Sequence, residues 1–190
     1  VGGMLRHLSS QGGIKDLVLD DKYYNTSLDV TYGVRERDLS WNVDLGVKNQ
    51  IYNWYGLPTE TIVFDDATIN SIDSKQSYNT IALGGKMTLK DGIFSEASMQ
   101  FKRFSDGLNS GENRFFIKPN FDFEVMDQKI KADFVVDYVG GSFERMLDVD
   151  SELKYSTIIA GMKPSILYQQ DDLSVQLGAG VFYATAKING

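Results

Sequence analysis

The chain has 190 residues, 42% of them hydrophobic, with 10 Tyr, 11 Phe and 2 Trp against only 3 Pro, a profile of a folded, strand-rich protein and not of a disordered one. A formal net charge of -7 argues against nucleic acid as a partner, because such binders need a basic surface to displace phosphate counterions. Without cysteine there is no disulfide, thiolate metal site or cysteine nucleophile, and without an apolar run of about 18 residues there is no transmembrane helix, which leaves a transmembrane barrel open.

Taken in order, Val1 to Leu8 reads as the tail of a strand, and residues 9 to 22 as a polar, glycine-bearing loop. From Tyr23 to Arg35, Tyr24, Leu28, Val30, Tyr32 and Val34 alternate with Asn25, Ser27, Asp29, Thr31 and Gly33, the period of two expected of a strand with two unlike faces. A turn at Glu36-Arg37-Asp38 leads into Leu39 to Asn53, where Leu39, Trp41, Val43, Leu45, Val47 and Ile51 oppose Asn42, Asp44, Gly46, Lys48 and Gln50. Residues 54 to 77 lose the period and read as one large loop.

The second hairpin runs from Tyr78 to Ser105 about an Asp91-Gly92 turn, with Ile81, Leu83, Met87, Leu89, Ala97, Met99 and Phe101 against Thr80, Lys86, Glu96, Gln100 and Lys102. After a loop at 106 to 112, Arg114 to Val125 and Lys129 to Gly140 form a third hairpin about Met126-Asp127-Gln128. Its apolar side carries Phe115, Ile117, Phe121, Phe123, Ile130, Phe134 and Tyr138, and its polar side Lys118, Asp122, Glu124, Lys131, Asp133 and Asp137. An acidic loop from Gly141 to Leu153 precedes the last hairpin, Tyr155 to Tyr168 and Leu173 to Lys187, turned at residues 169 to 172. Pro119 and Pro164 fall inside strands, where each removes a ladder donor and predicts a local bulge or break.

Tight turns near 36, 91, 127 and 171 alternate with long loops at 9–22, 54–77, 106–112 and 141–153, and the strands exceed the 9 to 11 or so residues that cross a bilayer. Both regularities predict an all-β, antiparallel, up-and-down transmembrane β-barrel with about eight full strands plus a partial first one. Residues 1 to 190 are then a single barrel region, expected to be a portion of a longer chain.

Tyr24, Trp41, Trp54, Tyr55, Tyr78, Phe115, Tyr138, Tyr155 and Tyr183 are the expected aromatic girdle. Leu28, Val30, Val43, Leu45, Ile81, Leu83, Met87, Met99, Phe101, Phe121, Phe134, Val175 and Leu177 are expected to face lipid. Asp29, Asp44, Lys48, Lys86, Glu96, Lys102, Lys118, Asp122, Glu124, Lys131, Asp133 and Asp137 are expected to line the lumen.

The runs HLSSQGGI at His7 to Ile14, LDDKYYNT at Leu19 to Thr26 and YNWYGLP at Tyr52 to Pro58 resemble large outer-membrane β-barrel proteins of Bacteroidota, of the TonB-dependent-receptor-like kind. The resemblance implies the outer membrane of a Gram-negative bacterium and a larger parent barrel. These residues include no plug domain, so it does not carry over energised import.

Little here points to chemistry. His7, the sole histidine, has no placed triad partner, Gly178-Ala179-Gly180 lacks the third glycine of a dinucleotide fingerprint, and no enzyme activity or cofactor is expected. The clusters Asp20-Asp21, Asp65-Asp66 and Asp148, Asp150 and Glu152 lack an EF-hand pattern and read as solvated loop faces, able to meet lipopolysaccharide through divalent cations. The expected work is solute passage or receptor-like transport, with the bilayer and lipopolysaccharide, and other outer-membrane or periplasmic proteins, as partners. Two alternatives stand beside it: a non-enzymatic barrel subunit of a larger outer-membrane assembly, and a soluble β-barrel or sandwich that binds a ligand such as glycan.

Overall fold

The computed structural model describes residues 1–59, 61–125, 128–144, 152–170 and 172–189. Ten strands form one antiparallel sheet: β1 (Gly2–Ser10), β2 (Tyr23–Arg35), β3 (Leu39–Asn53), β4 (Lys75–Leu89), β5 (Phe94–Asp106), β6 (Gly111–Val125), β7 (Gln128–Phe143), β8 (Leu153–Gln170), β9 (Leu173–Gly178) and β10 (Val181–Asn189). From β1 to β8 each pairs with the next in sequence as a meander, and β9 and β10 both pair with β8, in one continuous register. Those two segments therefore occupy a single sheet position.

Pro164 explains the interruption between β9 and β10. It accepts a bond at 3.1 Å from the Ala179 N–H but has no N–H to return to the Ala179 carbonyl, so the ladder lapses there. β8 itself runs through Pro164 unbroken. Pro119 likewise sits inside a continuous β6, and the β6–β7 pairing skips from Ile117 to Asn120.

The bulge lies elsewhere, in β5, where Phe94 pairs with Phe121 but Glu96 pairs with Asn120, leaving Ser95 as the extra residue. That extra residue turns Phe94 over to the face of Phe121 and Phe134, whose rings meet it in series at 5.8 and 5.6 Å. Strict alternation would have put Phe94 beside Glu96.

Two sequence expectations are corrected. The large loop at 54–77 contains a short helix, α1 (Asp66–Ser71), and β4 already begins at Lys75. The sheet is also not closed into a barrel within this chain: β1 and β10 are its edges among the described residues. With nine sheet positions in strict alternation, β1 and β10 run the same way, so antiparallel pairing cannot join them; such closure takes an even number of strands. Of the expected turns and loops, Met126, Asp127, Asp148, Asp150 and Asp171 lie outside the described residues.

A single-layer sheet has no second layer to bury against. Ala132, 8% exposed, is the one buried hydrophobic residue among those described. The chain presents 13969 Å² of accessible surface, against about 9,100 Å² for a compact monomer of its mass.

Candidate functional site

The register sorts side chains onto two faces, because residues paired across an antiparallel ladder point the same way. One row across the sheet reads Val30, Leu45, Leu83, Phe101, Phe115, Tyr138 and Ile158, and the next reads Tyr32, Val43, Gly85, Met99, Ile117, Val136, Ala160 and Tyr183. All thirteen residues expected to face lipid share this apolar face, with Val175 and Leu177 continuing it beside Tyr168 and Ile166. These side chains are open: Leu83 is 44% exposed, Met99 48% and Ile166 47%. The apolar face is thus a continuous exposed surface, far larger than the few hundred Å² that soluble monomers show.

All twelve residues expected to line a lumen share the opposite, polar face. There, charges of both signs meet. Arg114 holds Asp137 through two bonds, Nε to Oδ1 at 3.0 Å and Nη2 to Oδ2 at 2.6 Å. Lys86 meets Glu96 at 2.9 Å, Arg6 meets Asp29 at 3.5 Å, and Asn42 donates to Asp44 at 2.6 Å. Asp122 faces Lys131 and Asp133 faces Lys163 in direct register. Beside these groups, Gly46, Ala82 and Gly84 lower the floor, so that a hollow of about 510 Å³ opens against Asp29, Asp44 and Gln100.

The aromatic residues divide between the faces. Tyr24, Phe115, Tyr138 and Tyr183 stand on the apolar face, as does Trp41, whose ring lies 5.5 Å from that of Tyr32; Trp54 and Tyr55 follow β3 in the loop. Tyr78 and Tyr155, read with them as girdle residues, are on the polar face. Tyr52, Tyr78 and Phe104 stack there across three strands at 5.6 and 5.7 Å, and the Tyr52 and Tyr78 hydroxyls lie 3.2 Å apart. Tyr155 stacks on Phe143 at 6.0 Å and donates its hydroxyl to Glu112. The signal was present in the sequence: Tyr78 has the parity of Thr80 and Lys86, not of Ile81.

The remaining candidates are accounted for locally. His7 lies on the apolar face near the long-loop end, its Nδ1 2.8 Å from the Thr26 hydroxyl. Asp21 accepts the Gly13 and Ile14 N–H groups at 3.0 Å each, and the bond from Ile14 foremost holds its carboxyl below the usual range. Asp20 pairs with Lys22, and Asp65 caps α1 by accepting the Thr68 N–H at 2.7 Å, with its carboxyl again lowered by its bonds with Thr68. Among the described residues no group of three or more His, Asp or Glu side chains could hold a metal ion.

Alternation also reveals residues the sequence reading passed over. Within the strands, the charged side chains on the apolar face are Lys75, Arg103, Lys154 and Lys187, all basic and all at the long-loop end. No protein-family model, curated protein or solved structure matches this chain.

Proposed function

We propose that this chain is a wall segment of an antiparallel transmembrane β-barrel of a Gram-negative outer membrane, of the TonB-dependent-receptor-like kind found in Bacteroidota, working in solute passage or receptor-like transport. The observation that carries this reading is the exposed apolar face of a sheet with no core. In water, a surface of that size without a second layer would be a strong aggregation liability; against lipid it is a solvated wall. The strands are long enough: Ile81 to Leu89 and Ile158 to Tyr168 keep the apolar side for about a bilayer's thickness.

The polar face then looks into the lumen, and its mixed charges suit hydrated, polar solutes better than apolar ones. The stacked Tyr52, Tyr78 and Phe104 sit at the long-loop mouth of that face. Closure needs an odd number of further strands to join β1 to β10 with antiparallel pairing, which fits a larger parent barrel.

Planar-bilayer recording on the full-length protein tests the passage reading, with discrete conductance as the expected result. A silent protein that co-purifies with fixed partners favours the alternative role of a non-enzymatic subunit in a larger outer-membrane assembly. Full solubility after extraction without detergent would overturn the membrane reading altogether and favour a soluble ligand-binding sheet.

A further inference from the structure

We infer that the long-loop rim of the apolar face is a binding site for the phosphate headgroup of anionic lipid in the adjoining leaflet. The inference rests on the barrel reading above and adds a lipid class and the residues that take it. Its basis is the sorting of charge between the two faces and the two ends of the sheet. The charges on the apolar face of the described strands are Lys75, Arg103, Lys154 and Lys187, with no carboxylate among them. Every carboxylate of the described strands lies on the polar face instead.

Their positions are as telling as their sign. Arg103, Asn113, Gly140, Ser156 and Lys187 form one row across five strands, immediately beyond the row of Phe101, Phe115, Tyr138 and Ile158 that ends the apolar band on β5 to β8, while on β4 the same row is still held by Ile81. Lys154 stands in the next row out, with Ser105, Gly111 and Ser142. On β5 to β10 the row spacing of two residues, about 6.7 Å, sets the cations one step beyond the last apolar row, where a headgroup phosphate can meet them. The tight-turn end of the same face finishes instead on Val125, Gln128 and Tyr168, without charge. The demand for anions is therefore one-sided, and belongs to the leaflet on the long-loop side.

The rim is also accessible. Arg103, Asn113, Gly140, Ser142 and Lys154 are among the residues around a hollow of about 590 Å³, which Asp106 also lines while its carboxylate accepts the Leu108 and Ser110 N–H groups, and the Tyr138 hydroxyl lies against the position a Cβ on Gly140 would take. An acyl chain can thus pass along Phe101, Phe115 and Tyr138 while its phosphate reaches the hollow. Among the described residues the Arg103 side chain makes one hydrogen bond, to Asn113 at 3.5 Å, which leaves most of its guanidinium donors for a phosphate. Lys154 meets Glu152 at 2.7 Å, and both side chains are exposed, so this pair exchanges readily for a stronger anion.

The test reconstitutes the full chain in phosphatidylcholine vesicles, with and without phosphatidylglycerol, and reads the thermal midpoint of the inserted protein. The parent is expected to gain several degrees from the anionic lipid, and the triple variant R103Q/K154Q/K187Q to lose most of that gain. The charge-preserving pair R103K/K154R should keep it, as should K48Q/K129Q/K163Q on the polar face, which separates lost charge from damaged folding. An equal gain in parent and triple variant overturns the inference and leaves the barrel reading intact. So does the same gain from inorganic phosphate added to phosphatidylcholine vesicles, since the lipid would then be unnecessary. Failure of the parent to enter any vesicle overturns the barrel reading, and the inference with it.

Discussion

Leu83 stands within the apolar band, between Leu45 on β3 and Phe101 on β5, with Ile81 on one side of it along β4 and Met87 on the other. In a bilayer it meets lipid, so Leu83→Arg is expected to cost about 2 to 4 kcal/mol if it lies near the midplane. Heat resistance of the folded band on a gel reads this directly, and an arginine variant as resistant as the parent would count against the orientation. On the other face, Asp137 on β7 binds Arg114 and offsets the like charge that Arg114 meets in Lys102 on β5. Asp137→Ala should cost about 1 kcal/mol for the pair, plus the exposed like-charge contact, and the loss should shrink as salt is raised.

Two elements owe their limits to single residues. β9 and β10 are separate because Pro164 offers no donor to Ala179, so Pro164→Val should join them and stabilise the sheet by about 1 kcal/mol. Slowed hydrogen exchange at the new Val amide and at residues 178–181 would show the bond; unchanged exchange would refute it. α1 depends on Asp65, since the helix has no buried residue to hold it. The carboxyls of Asp65 and Asp21 are depressed in the folded protein, so what they contribute is present above the ordinary carboxylate value. It is lost as pH falls through the lower folded one. Both loops should therefore keep their protease resistance to mildly acid pH and lose it only below the normal aspartate range, whereas Asp65→Ala should expose the Asp66–Ser71 segment at neutral pH.

For the molecule as a whole, the proposed membrane setting accounts together for the apolar band and for the lack of a second layer among the described residues: lipid would cover what water would leave exposed. In the proposed membrane setting the unpaired edges of β1 and β10 require further strands to cover them, because open edges do not persist in hydrocarbon. The full-length protein should accordingly appear in the detergent phase and give a heat-modifiable band, and a form that is folded and monomeric in plain buffer would exclude the barrel.

Alternation alone made much of this legible. Strand existence, the two faces, and the rhythm of tight turns and long loops follow from side chains projecting every second residue to one side, and β2 and β3 begin and end where the pattern in Tyr23–Arg35 and Leu39–Asn53 does. α1 was hidden because a six-residue helix leaves no apolar period, only the Asp65-to-Thr68 capping spacing. The face of Phe94 was hidden by the bulge at Ser95, which breaks parity without changing composition. The basic rim needed the register itself: Arg103, Lys154 and Lys187 lie far apart in sequence and become neighbours only when β5 to β10 are aligned. Periodicity fixes which side each residue takes along its own strand, whereas only the hydrogen-bonded ladders decide which residues of different strands stand in one row.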